Sequence, residues 1–228
     1  MPSRRLVSGL AVAVLAVTLG GALGPRAWAA TAASAPVDHP QVRVVTNMGE
    51  FVMELYPDRA PVTVLEFLKY VKEGQYTQTL IHRVVPGFLL QGGGFSAIDE
   101  STKPVHGPIP NESGNGLQNK HGWVGLARTE APHSGNCQFY INLADNSELD
   151  PLPVRWGYAV FGQVISGMDV VERIGIVPTG AAGKFKSDAP LTHVVIQKIE
   201  LVGPGGIKAD APKQLAPAPT GNEVQSPN

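Results

Sequence analysis

The stretch "IHRVVPGFLLQGGGF", residues 81–95, sets His82 and Arg83 on a strand-like run, then Phe88 and Leu89, then Gln91 ahead of three glycines. A guanidinium and an amide flanking an apolar patch can bind and polarise a neutral group, but nothing beside them can attack one. A second stretch, "LARTEAPHSGNCQFYINLADNSELD", residues 126–150, holds Gln138, Tyr140 and Leu149. Brought together, Arg83, Phe88, Leu89, Gln91, Gln138, Tyr140 and Leu149 would form an apolar pocket edged by guanidinium and amide donors. On composition alone the simpler reading is ordinary core, with Arg83 a strand residue whose stem covers apolar surface.

Other chemistries are carried less well. Ser134 follows His133, but adjacency in sequence does not make a triad, and no nucleophile-elbow pattern surrounds the serine. The six histidines, at 39, 82, 106, 121, 133 and 193, show no H-x-x-x-H spacing, and Cys137 is the single cysteine. No zinc site is therefore expected. The glycines at 92–94 lack the Lys-Ser/Thr of a phosphate loop and read as a bend where backbones approach closely.

The elements that must position these residues are mostly short strands. "QVRVVT" and "EFVMELY", separated by "NMG", read as a hairpin, with Gly49 able to take a positive φ. A helix follows, in which Thr63 and Glu66 have capping-box spacing, Val64, Phe67, Leu68 and Val71 share a face, and Gly74 ends the run. Further strands are predicted at 80–84, 88–91, 123–127, 139–143, 158–164 and 194–202, with a short helix at 168–174. Eight strand-like runs and two helices, without regular βα alternation, predict a mainly β fold, an antiparallel barrel or sandwich with helices over its open ends. Strict alternation would place Phe88 and Gln91 on opposite faces, so a bulge or bend near Gln91 is required if both line one site. His82 and Arg83 likewise face opposite sides of a regular strand. The Pro/Gly/Asn-rich run 97–121 is a long loop and a candidate rim of the groove.

At the start, Arg4 and Arg5, an apolar run over 6–23 and Ala27-Trp28-Ala29 have the form of a cleavable signal peptide, residues 1–29, rather than an uncleaved anchor. Residues 30–40 read as a linker, 41–202 as the domain, and 203–228, Pro-rich and without aromatics, as a disordered tail. The chain has 228 residues, and its first 29 carry three arginines and no acids. Fifteen Lys and Arg then remain against 19 Asp and Glu, a charge of about −4. That disfavours nucleic acid and anionic membrane as main partners, and no stable membrane insertion is expected after cleavage. With one cysteine, stability in an oxidising compartment must come from the core of a domain long enough to bury one.

"HRVVPGFLLQGG" resembles the H-R-[IV]-[IV]-x-x-F-x-x-Q-G-G signature of the cyclophilin-type peptidyl-prolyl cis-trans isomerases, particularly their exported bacterial branch. Residues 126–150 are similar to the family's second active-site segment, and "GYAVFGQVISGMDVVERI" to its last strand and second helix. The resemblance spans about Val42 to Val202 and implies a closed eight-stranded antiparallel barrel capped by two α-helices. Together with the signal segment it implies isomerisation of X-Pro bonds in exported proteins, with proline-containing unfolded or partly folded polypeptides as partners, no cofactor and a periplasmic location (secreted where there is no outer membrane); a monomer is the default expectation. By the same resemblance Arg83 and Gln91 are catalytic. His82, Phe88, Leu89, Ala127, Arg128, Gln138, Tyr140, Leu149 and Tyr158 contact substrate. Tyr140 stands where phenylalanine is commoner, Tyr158 where histidine is, Arg128 where asparagine is, and Glu148 where many eukaryotic members have tryptophan. A non-catalytic peptide-binding module and a hollow barrel for a small apolar ligand are the alternatives.

Overall fold

The computed structural model describes residues 39–202. The expected signal segment, the tail after 202 and all but the last two residues of the expected linker lie outside the described residues. Eight strands close into a barrel: β1 (Gln41–Thr46), β2 (Gly49–Leu55), β3 (Thr79–Val85), β4 (Leu89–Ser96), β5 (Trp123–Leu126), β6 (Phe139–Asn142), β7 (Val160–Ser166) and β10 (Val194–Val202). Their order around the wall is β1-β10-β3-β4-β6-β5-β7-β2, and every pairing is antiparallel. Each of the eight strand-like runs of the sequence becomes one barrel strand. Closure leaves none of these strands with an unpaired edge.

Alternation then decides what fills the interior. Val42 and Val44 of β1, Phe51, Met53 and Leu55 of β2, Leu90 of β4, Phe139 and Ile141 of β6 and Phe161 of β7 are each at most 2% exposed. Side chains fill the barrel, so the alternative of a hollow container for an apolar ligand fails. Helix α1 (Pro61–Lys72) packs Val64, Phe67, Tyr70 and Val71 onto this core. The Phe67 ring meets Phe139 and Phe161 at centroid distances of 5.8 and 5.2 Å. Helix α2 (Met168–Gly175) buries Val170, Val171 and Ile174.

The start of α1 differs from the capping box expected at Thr63 and Glu66. The helix begins three residues earlier, with Pro61 as its first residue, and Ala60 at its N-cap makes no side-chain cap. Glu112, from the long loop, caps it instead, accepting from the N–H groups of Val62 (3.1 Å) and Thr63 (2.8 Å). A carboxylate there satisfies two orphan donors and complements the helix dipole. Thr63 is thereby an interior position, fully buried, with a hydroxyl that has no partner among the described residues. The far end is as expected: Gly74 takes a left-handed φ of 71°, and the N–H groups of Gly74 and Gln75 return to the carbonyls of Val71 and Tyr70.

A second hairpin, β8 (Thr179–Ala182) with β9 (Phe185–Pro190), was not foreseen. "TGAAGKFKSDAP" carries too few large apolar residues to show period-two alternation. It is held by tertiary contacts instead. Phe185 stacks on His82 (5.5 Å, 28°) and meets the Phe95 ring edge-on at 5.2 Å, while Ala189 and Pro190 are buried.

Candidate active site

The register of β4 and β6 divides their side chains between two faces. Leu90 pairs with Ile141 and both point into the core. Leu89, paired with Asn142, and Gln91, paired with Tyr140, therefore lie on the outer face. In β5, Val124 and Leu126 are core, which puts Gly125, the partner of Tyr140, on the outer side as well. Across β3, Arg83 pairs with Gln91, and the core residue Val84 with Leu90. The outer wall of four strands thus gathers Arg83, Leu89, Gln91 and Tyr140, with Gln138 just ahead of β6. Gln91 Nε2 donates to Gln138 Oε1 at 2.9 Å, joining the two segments whose residues the sequence offered as one pocket.

Irregularities near Gln91 allow this, one among the glycines that follow it, as expected, and one on the facing strand. Phe88 precedes β4, in a turn, so it is not bound by strand alternation with Gln91. The extra residue lies on β3: Ile81 pairs with Gly92 and Arg83 with Gln91, leaving His82 as a bulge. The bulge lets Ile81 and Val84 both face the core while Arg83 stays on the groove side. A second irregularity takes up Gly93, Gly94 and Phe95 opposite Leu80. There a Cβ at Gly94 would lie 2.5 Å from Gln138 Cγ, so the glycine makes room for the glutamine side chain.

His82 is not gathered with the groove residues. It is 8% exposed, packed between Phe95 (4.6 Å, edge-on) and Phe185, and its Nδ1 has no hydrogen-bond partner among the described residues. Burial lowers its pKa to about 4, so the ring is neutral at ordinary pH.

Tyr140, 2% exposed, donates its hydroxyl to Asn119 Oδ1 at 2.6 Å, and burial pushes its pKa well above the ordinary tyrosine value. Asn119 in turn gives both its backbone N–H and its Nδ2 to Asp150 Oδ1, each at 2.8 Å. Asn146 Nδ2 bridges the Phe88 carbonyl (2.8 Å) and Asn142 Oδ1 (2.7 Å). This polar network fastens the Phe88 turn, the long loop and the single 3-10 turn Ser147–Leu149 that carries Leu149. The loop 97–121 therefore contributes to the groove from behind, through Asn119.

Arg128 folds over Tyr158, with its guanidinium carbon 4.3 Å from the ring centre. Its donors go to the carbonyls of Gly157 (3.1 Å), Trp156 (2.9 Å), Thr129 (2.8 Å) and Glu130 (3.2 Å). The side chain is thus a clamp between two loops, a task suited to a planar fork of donors. Ala127 N–H is taken by Gln138 O and Thr129 N–H by Ser134 Oγ, whereas the Arg128 amide has no partner among the described residues. Ser134 is occupied as a turn staple, donating to Ala131 O at 2.6 Å, and His133 Nδ1 accepts from Asn111 N–H. Cys137 is a buried thiol whose pKa burial raises.

The family model for the cyclophilin-type peptidyl-prolyl cis-trans isomerases matches residues 41–201. Peptidyl-prolyl cis-trans isomerase B of Escherichia coli is 45% identical over 157 residues, covering 68% of this chain and 94% of that protein. The chain belongs to the cyclophilin-type peptidyl-prolyl cis-trans isomerase family. It is an isomerase of X-Pro bonds, as its relatives at 40–45% identity are named. Peptidyl-prolyl cis-trans isomerase A of Dickeya dadantii is 40% identical over 200 residues, 88% of this chain and 98% of that protein. Among solved structures, a cyclophilin-type isomerase of Cryptosporidium parvum shares the fold, with a TM-score of 0.59 at 23% identity, covering 73% of this chain and 99% of that one.

Sequence reading missed two parts of this isomerase's groove. The Asn119, Asn142, Asn146 and Asp150 network had a faint signal in the asparagine density of "NLADNSELD". Asp188 had none; its Oδ2 lies 3.5 Å from Arg83 Nε.

Proposed function

We propose that the isomerase accelerates X-Pro rotation in exported, unfolded or partly folded proteins, on the outer-wall groove and without covalent chemistry. Amide resonance makes the uncatalysed rotation slow, and rotation requires only that this resonance be broken. At the twisted transition state the prolyl nitrogen becomes pyramidal and gains a lone pair. A guanidinium aimed at it binds the twisted form better than either planar form, and Arg83 fills that role. Phe88, Leu89, Tyr140 and Leu149 receive the proline ring, and their apolar surface disfavours the charge-separated planar amide. Gln91, oriented by Gln138, and the unpaired Arg128 amide hold one side of the chain so that the other turns.

The observation that carries this reading is the shared outer face of Arg83, Leu89, Gln91 and Tyr140 with the Gln91–Gln138 bond. One charge-assisted hydrogen bond contributes about 1.5–3 kcal/mol, roughly ten- to a hundredfold in rate. Arg83 therefore works together with the apolar pocket. Export is supported by the composition of residues 1–29. A protease-free prolyl-peptide assay on protein recovered from the periplasmic fraction, with its N-terminus sequenced, tests both parts. The expected result is activity in that fraction from a chain starting at Ala30, falling at least about tenfold in Arg83→Ala. Cytoplasmic retention of the intact chain would overturn export, and an unimpaired Arg83→Ala the mechanism.

A further inference from the structure

We propose that Asp188 is a positioning residue for the catalytic arginine: its carboxylate holds Arg83 by Nε and leaves the two Nη groups to address the prolyl nitrogen. The proposal rests on the reading that Arg83 acts in catalysis. Among the described residues Asp188 is the one ion-pair partner of the Arg83 guanidinium, with Oδ2 3.5 Å from Nε. Among the described residues that guanidinium donates no hydrogen bond to Gln91 or Gln138; those two side chains bond to each other.

The backbone at Asp188 is unusual in a way that aims the side chain. In the β8–β9 hairpin, Gly180 pairs with Ala189 and Ala182 with Phe185, so Lys186, Ser187 and Asp188 together oppose Ala181 alone. Asp188 lies in this bulge with φ of 58°, in the left-handed region that non-glycine residues seldom occupy. Bulges re-aim side chains, and such a conformation persists only where its surroundings over-determine it. Here they do. The Glu100 carboxylate accepts from Lys184 N–H at 2.8 Å and meets His193 Nε2 at 3.2 Å, the Phe185 ring is packed on His82, and Ala189 is buried. The hairpin whose sequence showed no strand signal is thus pinned against the strand that carries Arg83.

A carboxylate beside Arg83 has two opposed effects. It restricts the guanidinium, and it weakens the positive potential felt by the substrate nitrogen. The Arg83 and Asp188 side chains are 37% and 42% exposed, so solvent screens the Coulomb part and orientation dominates. The sign of the mutational effect separates the two.

The test measures kcat and KM by exchange NMR on an Ala-Pro peptide for wild type, Asp188→Asn, Arg83→Ala and the double variant, at enzyme levels high enough to resolve residual exchange. Asp188→Gly, which relieves the positive φ, is the second variant should Asp188→Asn fold poorly. Asp188→Asn is expected to lower kcat about two- to fivefold with KM and the thermal midpoint unchanged, and to have no further effect in the Arg83→Ala background. Wild-type or faster turnover in Asp188→Asn alongside a defective Arg83→Ala would overturn the positioning role alone. The same loss in both backgrounds would also overturn it, as a structural effect. An Arg83→Ala variant as active as wild type would remove the reading on which the proposal rests, and the proposal with it.

Discussion

The Tyr140 ring lies directly on the backbone of Gly125, so close that a Cβ at residue 125 would fall on the phenol ring itself. The two residues pair across β5 and β6 on the outer wall, and the glycine is what lets a large aromatic lie flat there. Gly125→Ala should therefore expel Tyr140 from the floor of the groove while leaving Val124 and Leu126 in the core. Overpacking of this kind costs about 1–3 kcal/mol, and if Tyr140 receives the proline ring as proposed, its displacement should lower kcat/KM by at least about tenfold. Thermal unfolding and a peptide-exchange assay on the same sample measure both.

Removing only the Tyr140 hydroxyl should do much less. Tyr140→Phe keeps the ring and loses one buried bond to Asn119, at about 1 kcal/mol of stability, with turnover largely retained. Asn119→Ala, by contrast, leaves Tyr140, Asn142 and Asp150 short of partners, and should cost about 3 kcal/mol or more. Chemical denaturation of the pair decides whether the network or the single bond matters.

The two helices and the eight barrel strands were legible because the core enforces the periodicities that mark them. Leu90 and Ile141 had to be inside, and their neighbours Gln91 and Tyr140 then had to be outside. What was illegible had no local signature. The His82 bulge exists because Ile81 and Val84 both belong to the core, which is a demand of packing. Glu112 caps α1 from 49 residues away in sequence, where a local box at Thr63 was expected. The β8–β9 hairpin is held by Glu100 and by aromatic contacts, and so Asp188 reached the groove unannounced.

The distant cap makes its own forecast. Glu112→Ala should destabilise the domain by about 1 kcal/mol without changing isomerase activity. Thr63→Val, which replaces a buried hydroxyl that has no partner, should be neutral or stabilising. Denaturant midpoints on the two variants check this.

His82 predicts that stability and activity respond differently to pH. Its folded pKa, about 4, lies below the unfolded value near 6.5. Between those values the unfolded chain binds a proton that the folded chain refuses. The stabilisation by neutral His82 is therefore fully present above about pH 6.5 and is lost as pH falls toward 4, by at most about 3 kcal/mol. Against a His82→Phe variant, the wild type should lose stability selectively in that window. The rate at saturating substrate should stay nearly flat from about pH 5.5 to 8.5, because rotation of the amide transfers no proton and His82 stands apart from the groove residues.

The central claim is that Arg83 stabilises a twisted amide in a groove that binds the planar substrate by other means. Exchange NMR on an Ala-Pro peptide, comparing wild type with Arg83→Ala, tests it most directly. Cis-trans exchange is expected to slow by about ten- to a hundredfold in the variant, with peptide-induced shifts at Gln91, Gln138 and Tyr140 preserved. Exchange as fast as wild type, or loss of peptide binding with no change in turnover of the bound peptide, would contradict it.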